Sequence, residues 1–181
     1  MILAEGITEE ILLTAFSNAA GLDFDKNGIK IVSSGGKNKI LKQYDRLRRE
    51  AGFPILMIFD SDGHELAEAT KKSLRSIDDV YVIPQGEFED ILPEELICKA
   101  INSHYRLFGE INVADIEGTG LKSHILERLW QKKGFGKFRK AEFASIVAGH
   151  ISNATSLSTE LKVLFSKINN MLSATSQESI K

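Results

Sequence analysis

A single cysteine, Cys98, occurs in the 181-residue sequence. It excludes an intrachain disulfide and fits a protein kept in a reducing cytosol. No stretch approaches the roughly 20 apolar residues of a membrane-spanning helix, and the amino end lacks the basic segment that opens a signal peptide. The sequence therefore predicts a cytoplasmic protein that does not enter the membrane.

An excess of charge of either sign is also missing, because 23 Lys and Arg against 25 Asp and Glu give a formal net charge of −2. Nucleic-acid binding would therefore have to come from local patches and bound metal. No internal repeat is found. A hydrophobic content of 43% and a charged content of 27% are typical of a globular protein with one good core.

The apolar run 55–59 lies between Pro54 and Gly63, which favours a strand buried on both faces of a parallel sheet. Asp60 and Asp62 follow it at i and i+2, so in an extended chain both carboxylates point to the same side. Two like charges so close repel each other unless a cation neutralises them, and such oxygen ligands suit Mg²⁺ or Mn²⁺. A plain polar turn is the alternative, since Asp-Ser-Asp-Gly is also good turn chemistry.

Further strands are predicted at 1–4, 29–33 and 79–83, with helices between successive strands. Thr8 is predicted to cap the first helix. The alternation favours a parallel sheet with right-handed crossovers. Acidic residues after the first, third and fourth strands should then gather at one edge of the sheet, where ligands bind in open α/β sheets.

The turn Ser34-Gly-Gly-Lys37 leads from the second strand into a helix that carries several basic residues, namely Lys39, Lys42, Arg46, Arg48 and Arg49. Free backbone N–H groups and the lysine charge could hold a phosphate there. The spacing is not that of a P-loop. A tight turn followed by an ordinary solvated helix face is the alternative.

From Pro93 onward the pattern is helical, with helices predicted at 94–108, 121–133, 141–151 and 159–172. We predict an α/β core at 1–108, a helical extension at 109–172 that supplies a basic loop to the site, and a disordered tail at 173–181. The histidines show no ligand spacing and are expected to be surface or packing residues; they are His64, His104, His124 and His150.

The segments Glu5-Gly-Ile-Thr-Glu9 and Phe59-Asp-Ser-Asp-Gly63, on this alternating frame, resemble the Toprim domain of topoisomerases, DnaG-type primases, RecR proteins and OLD-family nucleases. The Ser34-Gly-Gly-Lys37 turn, the Glu87-Phe-Glu-Asp90 cluster and a late lysine before an alanine-rich helix are similar to the OLD (overcoming lysogenization defect) family of ATP-dependent endonucleases. The resemblance covers about residues 1–150. Lys140 best matches the lysine, and Lys137 is the alternative.

The family normally carries an ABC-type ATPase before its Toprim segment, but no Walker A sequence, G-x-x-x-x-G-K-[ST], occurs here. The chain is therefore expected to be the nuclease part alone. The resemblance implies an ABC-type ATPase in the full-length protein or in trans, and an oligomer could form through that part.

The resemblance implies a Toprim-like (Rossmann-like) parallel sheet of about four strands flanked by helices, with a carboxy-terminal helical extension. It implies an endonuclease that hydrolyses DNA phosphodiester bonds with two Mg²⁺ or Mn²⁺ ions. The implied metal ligands are Glu5, Glu9, Asp60, Asp62, Glu89 and Glu87, with Glu89 preferred to Glu87. Of these, Glu5, Asp60 and Asp62 join Lys140 as catalytic residues, the lysine facing the scissile phosphate. The implied substrate-phosphate contacts are Gly35, Gly36, Lys37 and Lys137, while basic residues at 37–49 and 132–140 could track the DNA backbone.

Two other functions stay open. A non-catalytic, RecR-like scaffold would use the same acids only to hold a metal or a partner, and a primase-like nucleotidyl transferase would need further domains. The tyrosine context of a topoisomerase is not found around Tyr44, Tyr81 or Tyr105, so strand passage is not expected.

Overall fold

A sheet of four short parallel strands organises the chain, whose computed structural model describes residues 1–178, with side chains to residue 174. The strands are β1 (Ile2–Ala4), β2 (Ile31–Ser33), β3 (Leu56–Phe59) and β4 (Asp79–Val82). Their order is β2-β1-β3-β4, and Ala4 is in register with Ser33 on one side and Ile58 on the other. The carboxyl ends of all strands therefore meet at one edge, and the predicted parallel sheet is confirmed.

Helices cover both faces of this sheet. They are α1 (Ile7–Ala19), α2 (Lys37–Glu50), α3 (His64–Lys71), α4 (Glu94–His104), α5 (Val113–Ile116), α6 (Lys122–Lys133), α7 (Lys140–Ala148) and α8 (Thr159–Glu178). In the described residues no helix is both long and apolar enough to cross a membrane.

The continuous apolar run of β3 reflects burial on both sides. Leu56 and Ile58 belong to the larger core cluster, with α1, α4, α6, α7 and α8. Met57 and Phe59 belong to the smaller cluster, with α2 and α3. A strand that is buried on both faces has no solvent-exposed face, so its sequence is a continuous run of hydrophobic residues.

The carboxy-terminal helices share the larger core with the sheet. Trp130 of α6 and Phe143 of α7 are buried in the same cluster as Leu12 and Phe16 of α1. This packing carries the amino end of α7 to the carboxyl edge of the sheet. The division of the chain at residue 108 stays a prediction.

Several predicted boundaries need correction. Thr8 lies inside the first turn of α1, because the extended Gly6 that follows β1 is the cap. Helix α4 ends at His104 rather than at residue 108, and a 3₁₀ turn follows at Arg106–Phe108. The connection 110–120 contains the short helix α5.

The carboxy-terminal helices also differ from the prediction at their ends. Helix α7 ends at Ala148 rather than at residue 151. Helix α8 continues to Glu178, so the tail predicted at 173–181 lies partly in this helix. Residues 179–181 lie outside the described part of the chain.

Candidate active site

Carboxylates from three strand ends meet at the carboxyl edge of the sheet. Glu5 follows β1, Asp60 follows β3, and the backbone N–H of Asp60 donates a hydrogen bond to Glu5 Oε1 at 3.1 Å. The remaining members are Glu9 in the first turn of α1 and Glu87 and Glu89 after β4. The predicted convergence of acids at this edge is thus present in the structure.

Asp60 has the most strongly shifted pKa of the cluster. Burial, followed by the charges of Glu9, Glu5, Glu87 and Glu89, raises its pKa to about 8. Within the described residues, its Oδ1 atom is buried and has no hydrogen-bond partner. A buried carboxylate in such a position retains its charge only if a cation replaces the lost hydration.

Glu9 and Glu89 are the most deeply buried acids of the cluster, with relative exposures of 4% and 1%. Burial, and then the charges of Glu89 and Glu5, raise the pKa of Glu9 to about 7. Burial likewise raises the pKa of Glu89, whose Oε1 accepts a hydrogen bond from the Thr8 hydroxyl at 3.0 Å. These two acids line the inner wall of the site.

Asp62 lies at the outer rim instead. After Asp60 the chain turns into a 3₁₀ turn at Ser61–Gly63, so the extended geometry assumed for Asp60 and Asp62 was wrong. The Asp62 side chain is 70% exposed, and its Oδ2 lies 2.6 Å from Lys37 Nζ. Its charge still acts on Glu5, where it adds to the effect of burial in raising the pKa.

Glycine is required where this 3₁₀ turn meets the cluster. A Cβ on Gly63 would lie 2.9 Å from Phe59 Cβ and 3.3 Å from Glu5 Oε1. No larger residue fits there without a shift of β3 or of Glu5. The turn that carries Asp62 therefore packs closely against Glu5.

Glu87 is held by two donors from the helical extension. Its Oε2 accepts hydrogen bonds from Ser123 Oγ at 2.6 Å and from Lys140 Nζ at 2.7 Å. Burial acts to raise the pKa of Glu87, but these two donors outweigh it and the pKa is lowered. Glu87 is therefore a charged acid that carries its own counter-ion.

Lys140 is the lysine that the fold brings to the acids. It begins α7, and its Nζ also lies 3.5 Å from the carboxylate of Glu89. Burial would lower the pKa of Lys140, but Glu89, Glu87 and Asp60 together raise it. Lys137 is exposed, and in the described part of the chain no ion pair joins it to an acid.

Aromatic packing fixes the loop before Lys140. The ring of Phe135 stacks on Tyr105 with centroids 4.1 Å apart, and Phe138 lies 5.2 Å from Trp130. These contacts hold the basic loop, residues 134–140, against the core on both sides of Lys137. Since α7 also packs along α1, the start of α7 has a defined position beside the cluster.

The glycine-rich turn faces the acids across a cleft of about 550 Å³. Residues 35–39 form one wall, and Glu5, residues 60–62 and Glu87 form the other. Gly35 and Gly36 have positive φ of 74° and 120°, and Gly36 N donates to the Glu5 carbonyl at 2.9 Å. The predicted phosphate-contact residues Gly35, Gly36 and Lys37 thus share one cleft with the acids, and Lys137 does not line it.

Each of the two outer acids pairs with a lysine, and Lys140 also approaches the inner acid Glu89. Among the described residues, no three His, Cys, Asp or Glu side chains already surround one point as metal ligands do. Asp62 faces Lys37 and Glu87 faces Lys140, while Glu5, Glu9, Asp60 and Glu89 remain inside.

Two residues of this site, Thr8 and Ser123, were not predicted as site residues from the sequence. Thr8 was read as a helix cap, and Ser123 is 36 residues from Glu87, so no local pattern joins them.

Comparison with known proteins agrees with this geometry. The family model described as the overcoming lysogenization defect protein-like TOPRIM domain matches residues 1–62, which include Glu5, Glu9, Asp60 and Asp62. No curated protein sequence matches the chain significantly.

Two solved structures share the fold. One is the C-terminal region of the Xanthomonas campestris pv. campestris OLD protein, with 15% identity, a TM-score of 0.65 and coverage of 96% of each chain. The other is the C-terminal region of the Burkholderia pseudomallei OLD protein, with 17% identity, a TM-score of 0.66 and coverage of 94% of this chain and 96% of that chain. The predicted Toprim-like α/β fold is confirmed, and residues 1–62 are similar to the OLD-like TOPRIM family model.

Proposed function

We propose that this domain is a metal-dependent endonuclease that hydrolyses DNA phosphodiester bonds. The observation that carries the proposal is Asp60, which lies among Glu5, Glu9 and Glu89 and has one buried oxygen without a hydrogen-bond partner in the described residues. A folded protein seldom keeps so many buried carboxylates together without a cation. Hard oxygen donors of this type suit Mg²⁺ or Mn²⁺.

The acidic residues that would hold a divalent metal form an inner group and an outer group. Glu5, Glu9, Asp60 and Glu89 would hold it from the inside, and Asp62 and Glu87 would join from the rim, where two ions are proposed. When bound, such ions make a water nucleophilic and neutralise charge on the phosphate oxygens. The near-neutral chain is consistent with this arrangement, because the metal brings positive charge to the acids.

The protein's own cations would act on the substrate. Lys140 stands next to the acid cluster and would stabilise the negative charge that develops on the scissile phosphate. Lys37 and the turn at Gly35 would orient the phosphate at the start of α2, whereas the N–H of Gly36 is already donated to the Glu5 carbonyl. Thr8 and Ser123 would keep Glu89 and Glu87 in place through their hydroxyl groups.

An ATPase partner is a further part of the proposal. Both similar structures are C-terminal regions of OLD proteins. We infer that an ABC-type ATPase works with this domain, on the same chain or in trans. Nuclease activity of the domain alone should then be weak and independent of ATP.

Nicking of supercoiled plasmid tests the nuclease proposal. Wild-type protein should convert the plasmid to nicked and linear forms in Mn²⁺ or Mg²⁺ and leave it intact in EDTA. Asp60→Asn removes the central charge with little change of shape and should abolish cleavage, while Asp25→Asn on an exposed loop is the matched control. Plasmid that stays intact with Mg²⁺, Mn²⁺ and Co²⁺ would favour the RecR-like scaffold instead.

A further inference from the structure

Helix α2 carries a row of basic residues along one exposed face. Lys39, Lys42, Arg46 and Arg49 follow one another at spacings of three, four and three residues, and all are exposed. With 3.6 residues per turn, these positions lie within roughly 80° of one another around the helix axis. The side chains therefore form one stripe, which we call the α2 basic row.

Among the described residues, the four members of the α2 basic row form no ion pairs, although Asp45 and Glu50 of the same helix lie beside the carboxy-terminal half of the row. Lys37 is paired with Asp62, and Arg48 is paired with Asp45 at 3.0 Å and lies 5.5 Å from the Tyr44 ring. No ion pair involves any of the four members of the row in the part of the chain that the structure describes. An ordinary solvated face usually mixes the two signs of charge, and like charges at this spacing repel. An unpaired cationic row points to a polyanion.

The row begins in the cleft of the proposed active site. Lys39 lines the cleft together with Glu5 and Asp60, and its side chain lies over Gly35. Lys42, Arg46 and Arg49 continue away from the cleft along the helix. At 1.5 Å per residue the row is about 15 Å long, which corresponds to roughly four nucleotide steps of one DNA strand.

We propose that the α2 basic row is the docking track for the DNA backbone that flanks the scissile phosphate. This inference rests on the proposed nuclease function and adds the surface on which the substrate lies. The row presents its cations along one exposed stripe, so it would contact successive phosphates, and phosphate contacts carry no sequence information. It therefore contributes affinity that falls steeply with salt.

Binding of a fluorescent DNA duplex in EDTA, measured by anisotropy, tests the track without any cleavage. Lys42→Glu/Arg46→Glu should weaken binding at least tenfold and reduce the slope of log K against log salt by roughly two. The matched control is Lys99→Glu/Lys162→Glu, which makes the same charge change on exposed positions of α4 and α8, on the other face of the sheet. Equal losses in the two double variants, or no loss in the first, would overturn the track.

Cleavage rates separate this inference from the nuclease proposal. The ratio of the plasmid rate to the rate on bis(p-nitrophenyl) phosphate should fall at least tenfold in the row variant, whereas Asp60→Asn should lose both activities. If wild-type protein cleaves neither substrate while the row variant loses DNA binding, the nuclease proposal fails and the track stands. A row that binds phosphatidylserine vesicles but not DNA would overturn the choice of occupant.

Discussion

Asp60 and Asp78 lie at opposite ends of the sheet and differ in their hydrogen-bond partners. Asp78 accepts hydrogen bonds from Tyr44 Oη at 2.9 Å, from Ile55 N at 2.9 Å and from Arg75 Nε at 2.6 Å. Asp60 has acids around it instead, and its Oδ1 has no partner in the described residues. The chain can satisfy a buried aspartate fully, so the unsatisfied one marks the functional end.

Lys140 and Lys137 make the sharpest residue-level comparison. Lys140→Ala should reduce the cleavage rate roughly 10²-fold or more, the scale for one lost electrostatic contact to a transition state. Metal affinity should persist, since the side chain donates no ligand. Single-turnover kinetics measure the rate, and calorimetry with Mn²⁺ measures the metal affinity.

The control is Lys137→Ala, which should weaken DNA binding modestly and in a salt-dependent manner. Its side chain is exposed and does not reach the acids. If the two variants lose rate equally, or if Lys137→Ala loses more, the assignment of the lysine is wrong.

Thr8 should contribute stability through Glu89. Thr8→Val keeps the shape and removes the donor, so a carboxylate that is 1% exposed loses its hydroxyl partner. The free energy of unfolding should fall by about 1–3 kcal/mol, as measured by urea denaturation. Thr14→Val, at an exposed position of the same helix, is the control and should change stability little.

At the scale of elements, the 3₁₀ turn at Ser61–Gly63 decides how the site is built. It ends β3, sends Asp62 to the rim and brings Gly63 against Phe59 and Glu5. Gly63→Ala should destabilise the protein by about 1–3 kcal/mol through overpacking and weaken metal binding by displacing Glu5. Gly52→Ala is the control, because its Cβ would meet no atom within 4 Å. Equal melting temperatures for the two variants would contradict this close fit.

The elements also show where sequence reasoning succeeds. The parallel sheet and the edge at which the acids gather follow from alternating strand and helix patterns, because the carboxyl ends of parallel strands must coincide. The separate directions of Asp60 and Asp62 could not be predicted, since a 3₁₀ turn replaces the period of two that an extended chain would have. The hydrogen bond from Ser123 to Glu87 depends on tertiary packing of α6 and leaves no trace in local sequence.

At the scale of the whole molecule, the acid cluster should make metal-free stability fall as pH rises. Asp60 has a pKa of about 8 when folded against 3.8 as a free group, and Glu9 has about 7 against 4.5. Between those values the folded protein holds protons that the unfolded chain has released, so raising the pH favours unfolding. The contribution of these two groups to stability is fully present below about pH 4 and is lost as the pH rises to about 8.

Thermal melts in EDTA at pH 5 and pH 8.5 measure this effect. The wild-type melting temperature should fall more between the two pH values than that of Asp60→Asn, which lacks the titrating group. Taking the difference between the proteins cancels groups that they share, such as the amino terminus with its lowered pKa. Parallel pH profiles for the two proteins would contradict a strained acid cluster.

Metal binding with proton release tests the central claim most directly. At pH 7 Asp60 is mostly protonated and Glu9 about half so, given pKa values of about 8 and about 7. A divalent ion that binds there must displace those protons. Calorimetric titration with Mn²⁺ in two buffers of different ionisation enthalpy counts them. We predict binding with release of roughly one proton or more per protein, and weaker binding with less release in Asp60→Asn. Binding without proton release, or identical titrations of the two proteins, would contradict the acid cluster as the metal site.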